Sequence, residues 1–178
     1  MIIRPTKFEG LFIIDLEKCK DKRGFFARVW DKKQFNEFGL ETKISQCSIS
    51  VNRERGTLRG MHYQKKPHQE IKLIRCTKGS IFDVVVDLRK TSKTFKKWKG
   101  IELNEKNHRA LYVPKGFAHG FITLQNNTEV FYQITHEHNP KYARGVLWND
   151  PSFDIRWPIK PKKISKRDLS FPLFTNEL

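Results

Sequence analysis

Apolar residues recur in short bursts along this chain, and Pro, Gly and Asn interrupt them at close intervals. Ile71–Cys76, Ser80–Leu88, Gly100–Leu103, Arg109–Val113, Phe121–Leu124 and Val130–Thr135 are rich in Val, Ile, Phe and Thr. Branched and aromatic side chains of this kind suit a pleated surface, so each burst is predicted as a strand. Turn signals separate them at Lys78-Gly79, Asn104–Asn107, Pro114–Gly116 and Gln125–Asn127. Strands at a spacing of roughly 8–12 residues predict an all-β sandwich, jelly roll or barrel, and the pattern does not choose among the three. One helix is predicted over Lys32–Phe38, with Asp31 as N-cap and Gly39 as the stop. Pro158–Leu178 has Pro and Lys but little periodicity and is expected to pack on the body as an irregular tail. No internal repeat or low-complexity linker is present in the sequence.

Composition narrows the class. A chain of 178 residues is expected to form one domain, 1–178, with a sizeable core. Its 38% hydrophobic content and fourteen Phe exclude a disordered chain. No stretch approaches the roughly 18 apolar residues of a membrane span, and MIIRPTKFEG has no signal-peptide pattern. Cys19, Cys47 and Cys76 are odd in number and show no C-x-x-C spacing, which predicts three reduced thiols in a cytoplasmic protein. The net charge of +16 raises the question of a polyanionic partner. Apart from short clusters at Lys96–Lys99 and Lys160–Arg167, Lys and Arg are dispersed. Nucleic-acid binders concentrate charge on one element, so the expectation is a solvated basic surface, part of which attracts a small acidic ligand, with no nucleic-acid and no membrane partner.

Several segments, taken together, carry a specific resemblance. They are Asp21-Lys-Arg23-Gly-Phe-Phe26, Gly56-Thr-Leu-Arg59-Gly60-Met-His62-Tyr-Gln64, Lys72-Leu-Ile-Arg-Cys-Thr-Lys-Gly79 and Asp83-Val-Val-Val-Asp87-Leu-Arg89. Pro114-Lys-Gly116-Phe-Ala-His119-Gly-Phe121, Tyr132, Gly145-Val-Leu-Trp148-Asn-Asp150-Pro151 and Ser165-Lys-Arg-Asp168 follow in order. The set resembles the dTDP-4-dehydrorhamnose 3,5-epimerase family, in its order and close to its spacings. The resemblance implies a cupin-type double-stranded β-helix, a jelly roll. It also implies a homodimer that exchanges an N-terminal segment, and a nucleotide-diphosphate sugar as ligand.

The chemistry so implied is inversion beside a ketone. A hydrogen alpha to a carbonyl is acidic because its anion delocalises onto the oxygen. Inversion takes the proton from one face and returns one to the other, which needs a base, an acid and an oxyanion stabiliser. His62 matches the family's base, and an imidazole can be neutral near working pH. Asp168 matches the carboxylate that orients it. Lys72, ten residues on, points inward in a β pattern and would stabilise the enolate. Tyr132 matches the acid. Arg59 suits a diphosphate through its planar fork, and His119 is expected near the sugar. Arg167 is a further phosphate candidate. Arg23 and Phe26 match the segment that reaches the neighbouring site. No cofactor and no metal are expected.

The pattern also breaks. Arg28 stands where thymidine-using members carry a glutamate, and Gln46-Cys-Ser48-Ile-Ser50 departs from a Q-x-N-x-S run. The stretch before Leu58 reads as one residue longer. A cation in place of an acceptor changes which base edge is satisfied, so cytidine and guanosine diphosphate sugars stay open beside the dTDP sugar. Three other readings compete. A nucleotide-sugar 3,4-ketoisomerase shares the enolate logic. A metal-dependent cupin is echoed by Pro114-x-Gly116-x-x-His119 and by His62, Glu70 and Gly79, but Gln64 occupies the second place of the H-x-H pair and His68 falls elsewhere. A non-catalytic cupin binding protein would not need His62, Lys72, Tyr132 and Asp168 together.

Overall fold

A computed structural model describes residues 1–175. The last three residues of the expected tail and of the expected 1–178 domain lie outside the described residues. In chain order the elements are β1 (Ile2–Pro5), β2 (Phe12–Asp15), β3 (Cys19–Asp21), β4 (Gly24–Phe26), α1 (Lys32–Glu37), β5 (Gln46–Asn52), β6 (Thr57–Gln64) and β7 (Lys72–Lys78). They continue as β8 (Ser80–Asp87), β9 (Trp98–Asn104), β10 (Ala110–Val113), β11 (Phe117–Thr123), β12 (Thr128–Ile134), β13 (Ala143–Gly145), β14 (Lys163–Ile164) and α2 (Lys166–Leu169). One sheet has the order β1-β2-β10-β7-β12-β5, and the second β13-β6-β11-β8-β9 with β14 added in parallel to β6. β3 and β4 form a separate hairpin. This is the jelly roll that the resemblance implies.

Strand alternation explains the layering. In β8, Ile81 and Val85 face the interior with Ile74, Leu103, Leu111, Phe121 and Val130. Their neighbours Val84 and Val86 face outward, where Met61, Val146, Phe153 and Phe174 cover them. Both faces of β8 are buried, which is why Ser80–Asp87 reads as a nearly continuous apolar run. The other sheet is covered on its outer face by α1, whose single buried residue, Phe35, packs with Ile3, Ile14, Leu73 and Tyr112. Asp31 caps α1, accepting the Gln34 N–H at 2.9 Å, as its position predicts.

The tail is more ordered than its composition predicts. Lys162 and Lys163 both donate to the Gly56 carbonyl, so β14 docks beside β6. Ser165 then caps α2 by accepting the Asp168 N–H at 3.0 Å. Strands β5 and β6 also went unpredicted, for a common reason. Their inward residues, Gln46, Ser48 and Ser50 on β5 and His62 on β6, line a polar cavity, so the hydrophobic alternation is inverted or missing. On β5 the apolar residues Ile49 and Val51 face outward and are 61% and 62% exposed.

Cys76 is fully buried beneath that cavity, and burial pushes its thiol up to about 12. Cys19 and Cys47 are exposed. Iodoacetamide at mildly alkaline pH is therefore expected to spare Cys76 in the native chain and to reach it only after denaturation. Peptide mass mapping checks this, and native labelling of Cys76 would contradict the packing.

Candidate active site

One end of the space between the sheets opens as a cavity of about 480 Å³, within the range of small-molecule sites. His62 enters it from β6, while Lys72 and Tyr132 enter from β7 and β12 of the opposite sheet. Register aligns the two strands, with Tyr132 opposite Ile74 and Lys72 opposite Ile134, so Tyr132 and Lys72 share a face. Arg59 and His62 both line the cavity although strict alternation would put them on opposite faces. The pairing of β6 with β11 shifts register between His119 and Phe121, which breaks the alternation. Gly60 sits at this break with φ +141, and a Cβ there would lie 2.5 Å from the Gly120 Cα. Backbone meets backbone at that point, so only glycine fits.

His62 Nε2 lies 2.8 Å from Asp168 Oδ1, and Asp168 Oδ2 accepts the Gly60 N–H at 3.2 Å. Burial raises the Asp168 carboxyl. The hydrogen bond and charge of His62, the Gly60 N–H and Ser165 outweigh it and hold the group below the ordinary carboxylate range. An ionised Asp168 accepts a hydrogen bond from Nε2–H, which leaves the imidazole lone pair on Nδ1. Ser165-x-x-Asp168 has the spacing of a helix-capping pair, and the Asp168 oxygens are diverted to His62 and Gly60. The edge of Phe171 packs on the His62 ring at 5.6 Å.

Tyr132 is partly buried on the inner wall of the cavity. Burial foremost, with the nearby Asp83 charge added, pushes its phenol well above the ordinary value, and Arg59 opposes this only in part. The phenol therefore keeps its proton at any working pH. His119, Cα partner of His62, meets Tyr132 edge to face with ring centroids 6.2 Å apart. Its Nε2 bonds Asp83 Oδ1 at 2.7 Å, and burial raises the Asp83 carboxyl against the pull of His119 and Lys72. Lys72 Nζ is 2.9 Å from Glu70 Oε1, with both side chains nearly buried. Glu70 Oε2 also accepts from Gln64 Nε2 at 2.8 Å. Arg59 is held by Asn52, its Nε donating to Oδ1 at 2.7 Å.

The cavity thus brings together His62, Lys72, Tyr132, Arg59, His119, Gln46, Ser48 and Arg167, and Asp168 supports it through His62. Arg23, Phe26 and Arg28 are not part of it. Arg23 pairs with Asp21 on the β3–β4 hairpin, Phe26 is 71% exposed, and Arg28 pairs with Asp31 at 3.4 Å. Sequence reasoning assigned no role to Asn52, Asp83, His138 or Arg144, and it read Glu70 only as an echo of a metal ligand. Asp83 had a visible signal, a lone carboxylate inside an apolar run. Asn52, His138 and Arg144 had none. The residues that echo metal motifs have other partners here: His119 bonds Asp83, and Glu70 bonds Lys72 and Gln64. Among the described residues no group of three or more His, Cys, Asp or Glu has the geometry to hold a metal.

A jelly roll with an imidazole, an ammonium and a phenol gathered in one polar cavity has the groups that an isomerase working by proton transfer requires. The sequence model of dTDP-4-dehydrorhamnose 3,5-epimerase matches residues 5–176. The chain is 37% identical over 177 residues to the enzyme of that name from Shigella flexneri, covering 99% of this chain and 97% of that one. The structure of the Bacillus anthracis enzyme with TDP and PPi bound superposes with a TM-score of 0.94 at 41% identity, covering 97% and 99% of the two chains. The Legionella pneumophila enzyme in complex with dTDP-4-keto-L-rhamnose gives 0.90 at 34% identity, covering 97% and 92%. This chain belongs to the dTDP-4-dehydrorhamnose 3,5-epimerase family.

Proposed function

We propose that this chain inverts carbons 3 and 5 of a dTDP-linked 4-keto-6-deoxy sugar, in deoxysugar and surface polysaccharide synthesis. His62 Nδ1 takes the proton alpha to the ketone, Asp168 stabilises the imidazolium, and Lys72 faces the enolate oxygen. Tyr132 returns a proton to the other face of the carbon. Arg59 and Arg167 hold the diphosphate, and His119, Gln46 and Ser48 contact sugar and nucleotide. The observation that carries this reading is the origin of the two proton-transfer groups: His62 and Tyr132 rise from opposite sheets into one cavity. The relatives' names and the Legionella complex support the substrate class.

The proposed assembly is a homodimer in which the hairpin carrying Arg23 and Phe26, with Arg28 beyond it, reaches the neighbouring cavity. The exposed hairpin and the outward Ile49 and Val51 of the edge strand β5 support this arrangement. The proposed location is the cytoplasm, supported by free thiols at Cys19, Cys47 and Cys76. No helix among the described residues is long and apolar enough to cross a membrane.

Incubation with dTDP-4-keto-6-deoxyglucose in deuterated water is expected to place deuterium at carbons 3 and 5, read by NMR. No exchange at either carbon would overturn the reading. Calorimetric titration is expected to rank dTDP above CDP and GDP. A preference for CDP or GDP would instead overturn the dTDP assignment.

A further inference from the structure

Each inversion leaves the site in the wrong protonation state. His62 has gained the proton taken from carbon, and Tyr132 has lost its own. A second inversion, or the next substrate, requires the reverse. His62 can release its proton at the cavity mouth, since its side chain is 38% exposed. Tyr132 is partly buried on the inner wall of the same cavity, and a sugar seated between it and His62 would cut it off from that mouth.

Beside His119 lies a narrow throat of about 10 Å³, close to the space of one water, walled by the apolar Val113 and Phe117 and the polar Glu70, Lys72 and His119. It shares Tyr63, Gln64 and Gly116 with a second cavity of about 730 Å³. That cavity is lined by Lys65, Lys66, Arg89, Lys90 and Lys115 and by no acidic residue. His119 belongs to both the active cavity and the throat, and its ring meets Tyr132. Its partner Asp83 is completely buried, and Oδ2 has no hydrogen-bond partner. A buried carboxylate oxygen in that position is costly unless it carries a proton.

We infer that the His119–Asp83 pair and the throat behind it return a proton to Tyr132 between inversions, with the basic cavity as the port to solvent. The inference rests on the reading of Tyr132 as the acid. The protons balance. Carbon gives one to His62 and receives one from Tyr132. The phenolate regains one through His119, the pair is refilled by water in the throat, and His62 releases one at the mouth. A phenol held far above its ordinary value leaves a strongly basic phenolate, which favours this transfer.

Val113 lines the throat but neither larger cavity, and its other side packs into the core with Ile74, Leu111 and Phe117, so it sets the bore without entering the active cavity. Val113→Ile is expected to slow steady-state turnover by about tenfold and to raise the solvent deuterium isotope effect on kcat, while the first inversion in a rapid-quench single turnover keeps its wild-type rate. Val113→Ala is expected to keep wild-type turnover with a smaller isotope effect. Asp83→Asn, which keeps the size but cannot store the proton, is expected to behave like Val113→Ile and to accumulate singly inverted sugar. It keeps the test open should the larger side chain prevent folding. The relay is overturned if folded variants leave kcat and the isotope effect at wild-type values, or if the first inversion falls in parallel with steady-state turnover. Wild-type enzyme that exchanges no deuterium would instead remove the proposed function.

Discussion

His62→Asn is expected to lower turnover by about a thousandfold or more and to eliminate solvent deuterium exchange at carbons 3 and 5. Asn overlays the Nδ1 half of the imidazole but stops short of Nε2, so it also gives up the 2.8 Å bond to Asp168. What it lacks is a lone pair basic enough to remove a proton alpha to a ketone. Calorimetry with dTDP should show near-normal affinity, because the proposed nucleotide contacts, Gln46 and Ser48, are separate from His62. Loss of exchange together with loss of binding would point to collapse of the cavity and would not count as support. Asp168→Asn should be milder in activity but have a pH-dependent effect on stability. The folded-state value of Asp168 is depressed, so its contribution is present above the unfolded value and is lost as pH falls through the folded one. Denaturant melts should therefore separate wild type from Asp168→Asn at pH 7 and converge at the acid end, below the ordinary carboxylate range.

The second large effect concerns Lys72. Lys72→Met removes the only ammonium among the residues lining the active cavity, and with it the charge proposed to face the developing enolate. A loss of about 10²–10³ in kcat is expected, as for deletion of an oxyanion donor. The same change strands Glu70, whose side chain is only 11% exposed and whose Oε1 faces Lys72 Nζ. A carboxylate left unpaired at such burial costs about 3 kcal/mol, so the variant should also melt early. Lys72→Met combined with Glu70→Gln separates the two effects. Gln replaces the charge with a neutral amide, so stability should largely return while activity stays low. Recovery of activity in the double variant would show that Lys72 serves the fold and not the reaction.

The strands of the core were legible in the chain because their cause is local. Ser80–Asp87 and Thr128–Ile134 carry branched and aromatic residues between turn formers, and that pattern needs no tertiary partner to be read. The helix after Asp31 was legible for the same reason, since the cap and the N–H that donates to it lie three residues apart. Motif order was enough to nominate His62, Lys72, Tyr132 and Asp168. Their arrangement was not legible, because it depends on contacts far apart in sequence. Asp168 reaches His62 across 106 positions only because β14 docks on β6 and a single turn of helix aims the carboxylate. The inward Gln46, Ser48 and Ser50 hid β5 from pattern reading, since a cavity needs polar residues where a core needs apolar ones. The hydrophobic rhythm along the chain determined which segments become strands. Which side chains face one another across the cavity was decided by the register shift at Gly60 and the closing of two sheets, because proton transfer depends on distances that local pattern does not encode.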